Sequence, residues 1–343
     1  MNGPCERAAP VLNRCDTLPP GFLEARPHEL ADLLGGPTLI ELPGECEAPL
    51  FVSILMHGNE DVGLGAIQRV LKAWRGRSLP RALMVLVGNV AAAAEGVRRQ
   101  EFQPDYNRVW PGTLDHIGTA EAQMMAEVHE RVIARGACAA IDLHNNTGRN
   151  PFYSVICERS PEVLALAGRF AGRAVLFRGV PGTQTASFAG RIPAMTAECG
   201  KPAASAHEEW AAQFVTGVLE SRTLSPGEGE DDLELYRTLG VVRVREDVSL
   251  SFDGEAADLI LAHDIDRLNF VATRPGQMLG RANHAMPLTM TDGAGRDVAG
   301  EFFVVEGGDL RLSRPVTPAM LTGDPRIVRQ DCLGYLMERL EPA

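Results

Sequence analysis

Ile54-Leu55-Met56-His57-Gly58-Asn59-Glu60-Asp61-Val62-Gly63 decides how the rest of the chain reads. An apolar run over 50–56 stops abruptly at a histidine, a glycine and a carboxylate. Leu64, Ile67, Val70, Leu71 and Trp74 then recur on one helical face. The pattern predicts a strand, a tight turn and a helix over 63–75. In open α/β sheets ligands bind outside the carboxyl ends of strands, which is where His57 and Glu60 fall. An imidazole and a carboxylate three residues apart across a turn can give two ligands to one zinc ion. A catalytic zinc usually takes three protein ligands and leaves a position for water. A third ligand, a base and a group that grips substrate are therefore expected elsewhere.

Strands are expected over 38–42 and 50–56 with Pro43-Gly44 between them, then at 82–87, 138–143, 174–177 and 193–197. Helices are expected over 27–34, 63–75 and 119–135, the last capped by Thr119 and closed by Gly136. Another opens at Ser160-Pro161, and one ending near Ser221 carries Trp210, Phe214 and Val218 on its inner face. Residues 1–26 read as an irregular arm and 89–108 as mostly loop. Alternating strands and helices up to residue 224 argue a largely parallel sheet covered by helices on both faces. The polar, acidic stretch 225–232 reads as a linker. Short strands at 238–244, 268–273 and 301–306 then predict a β-rich second part, with a final helix over 327–340. The division expected is a catalytic α/β domain over 1–224 and a β-rich domain over 233–343. No internal repeat is present.

The 343 residues are 45% hydrophobic, enough for a sizeable core, and the net charge is -12. That charge argues against a general nucleic-acid or anionic-membrane binder, both of which reward basic surface. The seven cysteines are scattered, odd in number and form no CxxC pair. They read as reduced thiols rather than a disulfide framework. The N-terminus has no apolar core like a signal peptide, and the longest apolar runs fall short of a membrane span. A cytoplasmic protein is expected, and a homo-oligomer is left open.

His144, in Ala140-Ile141-Asp142-Leu143-His144-Asn145-Asn146, is the candidate third ligand. It too ends a buried apolar strand, on the same edge as His57. Asp142, two residues earlier on the same strand face, could take the free N–H of a zinc-bound histidine. A lone histidine is more often a hydrogen-bonded core or surface residue. Of the eight histidines here, only these two end apolar strands beside carboxylates. Asn107-Arg108, in Asp105-Tyr106-Asn107-Arg108, suits a substrate carboxylate, although alone the pair fits an ordinary turn as well. Glu198, in Thr196-Ala197-Glu198-Cys199-Gly200-Lys201, ends another apolar strand. It could take a proton from a zinc-bound water and pass it to a leaving amine; the plain alternative is a solvated strand-end glutamate. Cys199 has no separate His-Asn pair to make it a nucleophile and reads as a buried, inert thiol.

In order, His57-Gly-Asn-Glu60, Asn89 through Gly96-Val-Arg98, Asn107-Arg108, Asp142-Leu-His144 and Glu198-Cys-Gly-Lys resemble the succinylglutamate desuccinylase/aspartoacylase family, within the zinc carboxypeptidase clan. The resemblance covers about residues 50–202. It implies a zinc-carboxypeptidase-like, largely parallel or mixed central sheet flanked by helices, with a smaller C-terminal β-rich domain. It implies one zinc per chain on His57, Glu60 and His144, with Glu198 as general base. Arg98 would polarise the scissile carbonyl, and Asn107 and Arg108 would bind the carboxylate of the amino-acid part. Two features depart from the family. Arg98 lies farther from Asn107-Arg108 than usual, so either the loop carries an insertion or Arg99 takes the role. His144 is also followed by Asn145-Asn146-Thr147-Gly148, an unfamiliar run that points to a different acyl pocket.

The expected function is a zinc-dependent amidohydrolase of a small N-acyl amino acid. The alternatives are a zinc carboxypeptidase acting on peptides and a non-catalytic, zinc-dependent carboxylate-binding protein. Glu198 counts against the last, since binding needs no base.

Overall fold

The computed structural model describes residues 11–177, 180–202, 204–224 and 232–341. The expected linker over 225–232 lies outside them except for Asp232, which sits in a turn. β1 (Asn13–Cys15), α1 (Leu30–Leu34), β2 (Thr38–Leu42) and β3 (Gly44–Ile54) open the described chain. The presumed arm thus contains a strand, β1, which pairs in parallel with β2. α2 (Val62–Ala73) and β4 (Leu79–Val87) follow, then α3 (Val90–Glu95), a short helix in what reads as loop. Four consecutive alanines favour it, and the Asn89 side chain caps it by accepting from Ala92 N–H. α4 (Ala120–Ala134) has the expected Thr119 cap, and Gly136 follows at φ 64°.

β5 (Ala139–His144), β6 (Tyr153–Ile156), α5 (Pro161–Phe170), β7 (Arg173–Leu176), α6 (Gln184–Phe188), β8 (Ala194–Glu198) and α7 (Ser205–Glu220) complete the first part. β4, β3, β5 and β8 are neighbouring parallel strands, and β6 runs antiparallel beside β8. The period of two along each strand assigns its faces. Leu50, Val52, Ile54, Ile141 and Ala197 share one core with α2, α5 and α7. Phe51, Met84, Ala140 and Ala194 share another with α4 and Phe188 of α6. Ser53, Asp142, His144, Thr196 and Glu198 are in phase with this second set, so the candidate residues leave the sheet on the α4–α6 side. Phe214 and Val218 of α7 are buried as expected, whereas Trp210 is 44% exposed, its ring tilted against Phe152 and its indole N–H donating to Phe170 O.

The remaining elements are β9 (Glu234–Val244), β10 (Leu250–Ser251), β11 (Leu259–Leu261), β12 (Met278–Ala282), β13 (Leu288–Thr291), α8 (Ala299–Phe302), β14 (Phe303–Glu306), β15 (Asp309–Leu312), β16 (Thr317–Ala319), α9 (Pro325–Gln330) and β17 (Gly334–Arg339). This C-terminal part is β-rich. β10, β11, β12, β15 and β14 form a sheet of their own, over a core that includes Val248, Leu259, Phe302 and Leu310. β9, however, pairs in parallel with β7, and β13, β17 and β16 extend the main sheet beyond it. Two expectations are corrected here. Residues 268–273 form no strand: a helical turn ends at Leu268, and Phe270 takes a positive φ of 57°. The helix expected over 327–340 stops at Gln330, and the chain re-enters as β17, between β9 and β16. Gly334 makes that close pairing feasible, since a Cβ there would lie 2.7 Å from Ala319 O. No helix among the described residues is long and apolar enough to cross a membrane.

Candidate metal centre and substrate cavity

β3, β5 and β8 lie side by side, and their carboxyl ends deliver His57, His144 and Glu198 to one edge. Leu55, two residues before His57, is fully buried in the left-handed region at φ 53°, a strain costing about 1–3 kcal/mol that the packed surroundings must hold. Its carbonyl accepts from Asn89 N–H at 2.7 Å. Gly58 must be glycine, because a Cβ there would lie 2.2 Å from the Ala92 carbonyl carbon of α3. Its N–H donates to Arg98 O, stitching the turn to the arginine loop.

His57, Glu60 and His144 are buried and form a cluster whose candidate ligand atoms lie within 4.8 Å of one another. His57 Nδ1 is 2.8 Å and His144 Nδ1 2.7 Å from the Glu60 carboxylate. The far nitrogens meet carboxylates too: His57 Nε2 is 3.0 Å from Asp105 and His144 Nε2 2.6 Å from Asp142. Those outer carboxylates place the ring protons on Nε2 and turn both Nδ1 atoms inward. Burial opposes protonation of either ring. The carboxylates outweigh it, Glu60 and Asp105 at His57 and Asp142 and Glu60 at His144, so both histidine pKa values rise. Glu60, against its own burial, is held far below the usual carboxylate range by the two histidines. The cage is thus arranged around positive charge, and two inward imidazole nitrogens with one carboxylate fit a zinc ion.

A family model described as the succinylglutamate desuccinylase/aspartoacylase catalytic domain matches residues 50–224, which span this whole edge. The chain belongs to this family. Its fold is similar to that of a succinylglutamate desuccinylase from Chromobacterium violaceum, with 18% identity, TM-score 0.55 and 86% of each chain covered. A succinylglutamate desuccinylase/aspartoacylase from Rhodobacter sphaeroides gives 16% identity and TM-score 0.57 over 88% of each chain. Murine aminoacylase 3 gives 16% identity and TM-score 0.56 over 86% of this chain and 96% of that one. At these identities the likeness is one of fold. No curated protein sequence matches significantly.

In this desuccinylase/aspartoacylase fold Arg98, Asn107, Arg108 and Glu198 line the same cavity as the His-Glu-His cluster. Burial pushes the Glu198 carboxyl up to about 7, His144 opposing and Glu60 adding to the rise. Arg98, not Arg99, faces the cavity; Arg99 braces its loop by donating to Glu101 O and Gln103 O. Asn107 also supports the cage: its amide N–H donates to Asp142 at 3.1 Å, and its oxygen accepts from Gln184 N–H at 2.9 Å. Cys199 is fully buried, and burial holds its thiol pKa well above the ordinary value, as an inert thiol requires.

Five further residues take part in ways the sequence reading did not assign. Ser53 donates to Asp142 at 2.7 Å; a serine inside an otherwise apolar strand was the available signal. Asp105 accepts from both His57 and Arg98. The unfamiliar Asn145-Asn146 pair is buried. Asn145 accepts from Val62 N–H at the start of α2 and donates its backbone N–H to Glu60; Asn146 donates to Glu198 at 3.5 Å. Gly148 lets this loop press on the C-terminal part, for a Cβ there would lie 2.0 Å from Leu321 O. Asp331, from the C-terminal part, pairs with Arg98 at 3.2 Å and Arg108 at 3.3 Å; nothing in its local sequence signals this.

Proposed function

We propose that the chain is a zinc-dependent amidohydrolase that cleaves the acyl amide bond of an N-acyl amino acid, releasing a carboxylate and a free amino acid. The observation that carries this reading is geometric: Glu198, buried at the end of β8, lines one cavity with the His57–Glu60–His144 cluster. A carboxylate beside a metal-bound water can both accept and return a proton. Zinc held by His57, Glu60 and His144 would lower the pKa of a water and polarise the acyl carbonyl. Glu198 accepts the proton of the attacking water and returns it to the leaving amine. Asn146 holds the Glu198 carboxylate in place. Arg98 donates to the acyl oxygen as negative charge grows there. Arg108 uses donors left free by Asp331 for one carboxylate on the amine side. The part up to residue 224 carries the chemistry, and the β-rich part from 233 walls the cavity. The scattered free cysteines support a cytoplasmic enzyme.

The test is a hydrolysis screen of N-acetyl, N-succinyl and N-formyl amino acids against short peptides, with zinc added, on wild type and Glu198→Gln. The variant should keep its fold and zinc but lose ~10²–10⁴-fold in kcat. Turnover of peptides alone, or near-wild-type turnover by the variant, would overturn the reading.

A further inference from the structure

Among the described residues, the cations lining the cavity are Arg98 and Arg108, and one side chain binds both. The Asp331 carboxylate lies 3.2 Å from Arg98 Nη2 and 3.3 Å from Arg108 Nη2, with its side chain only 14% exposed. Asp105 takes a further share of Arg98, accepting from its Nε at 3.2 Å and Nη2 at 2.9 Å. Asp331 is a fixed part of the wall. Its N–H donates to Ile327 O at the end of α9, and its carbonyl accepts from Arg243 of β9. Two residues on, Leu333 N–H donates to Val242 O. Among the described residues the rest of the wall adds no further arginine or lysine: Val155, Phe177, Val180 and Met320 are apolar, and the threonines and Tyr335 are neutral.

A substrate with one carboxylate can use the donors that Arg108 has left. A second carboxylate has no such partner among the described residues. It must face Asp331, a like charge, or lie against apolar side chains, where an unpaired charge is costly. We propose that Asp331 is a specificity-determining residue, a charge filter supplied by the C-terminal part: it admits N-acyl amino acids that carry a single carboxylate and rejects those that carry two. The proposal rests on the amidohydrolase reading and names its substrate class.

The test compares N-acetyl-L-asparagine with N-acetyl-L-aspartate, a near-isosteric pair that differs by one charge. On zinc-loaded wild type kcat/KM should favour the asparagine compound by at least ~10-fold, the low end of what one charge-assisted contact is worth. Asp331→Asn should shift that ratio toward the aspartate compound by ~10–150-fold, and Asp331→Glu should keep the wild-type ratio. A merely structural aspartate would lower both substrates alike and leave the ratio unmoved, which overturns the proposal. So does a wild type that prefers the aspartate compound, whether or not the Asn variant folds. Calorimetric binding of the same pair to zinc-loaded Glu198→Gln, with and without Asp331→Asn, separates the two readings. A ratio that shifts in binding without turnover of either compound in wild type sinks the hydrolase and keeps the filter. Turnover with an unmoved ratio does the reverse. No binding of either compound to any of these proteins overturns both.

Discussion

The metal cage and the cavity wall draw on different parts of the chain. In the cage, His57, Glu60, Asp105, Asn107, Asp142 and His144 satisfy one another, standing on strand ends, the turn after β3 and the loop between α3 and α4. In the wall, Arg108 is held by an aspartate 223 residues away, on the turn between α9 and β17. The cage is a property of the parallel sheet, whose register puts His144 beside Glu198. Asp331 reaches the wall only because β9 and β17 extend that sheet and bring a remote turn to its edge. On the proposed reading, reactivity and selectivity are therefore mounted on different scaffolding, and substitutions in one should leave the other largely intact.

The largest expected effect tests the cage itself. His57→Ala and His144→Ala each remove one of three ligands, and each protein should lose most of its zinc, held at about one per chain in wild type. Elemental analysis after dialysis reads this directly. Asp331→Asn is the contrast, since it leaves every ligand in place and should keep full zinc. Wild-type zinc in both histidine variants would show that the cage is something else, and zinc loss in Asp331→Asn would erase the division between cage and wall.

That division also explains what the sequence could tell. His57, His144 and Glu198 were legible because each ends an apolar run, and the break from apolar to charged residues falls at a strand's carboxyl end, where chemistry collects. Asn145-Asn146 was visible as an unfamiliar run, yet its role depends on where α2 begins and where Glu198 lies, and neither is local. Asp331 was hidden altogether. The stretch over 327–340 also reads as a helix, and that reading gives Asp331 no place at the cavity. What decides otherwise is pairing with β9 and β16, and strand pairing between distant segments leaves little mark on either one alone.

The next effect concerns Glu198, which stands where cage and wall meet. Burial raises its folded-state pKa from about 4.5 to about 7 in the metal-free protein. For a raised pKa the stabilisation is complete below the unfolded value and is lost as pH rises through the folded one. Between pH 4.5 and 8, zinc-free wild type should therefore lose on the order of 3 kcal/mol relative to zinc-free Glu198→Gln, which has nothing to ionise. Urea unfolding at both pH values gives the difference. A gap that stays constant with pH means that Glu198 is solvated as the metal-free protein ionises it. Zinc places positive charge nearby and lowers the pKa, so the acid limb of kcat/KM should fall below pH 7.

The smallest effect separates two carboxylates that look equivalent. Asp142 and Asp105 each accept from the far nitrogen of one histidine, and removing such an outer partner typically weakens metal binding by ~10–100-fold. Their other partners differ. Asp142 is fully buried and spends its remaining capacity on Ser53 and Asn107, which both belong to the cage side. Asp105 accepts from Asn107 N–H and from Arg98, and Arg98 is also held by Asp331. Asp142→Asn should therefore lower zinc affinity and leave the preference between singly and doubly charged substrates untouched. Asp105→Asn should lower zinc affinity by a similar factor and also free Arg98 in part, easing entry of a second carboxylate. Zinc titration against a chelator and the asparagine-to-aspartate ratio, measured on both variants, give four numbers. If both variants move the ratio equally, Asp105 is no bridge and the wall reaches through the whole cage. If only Asp105→Asn moves it, the boundary between chemistry and selectivity runs through that one carboxylate.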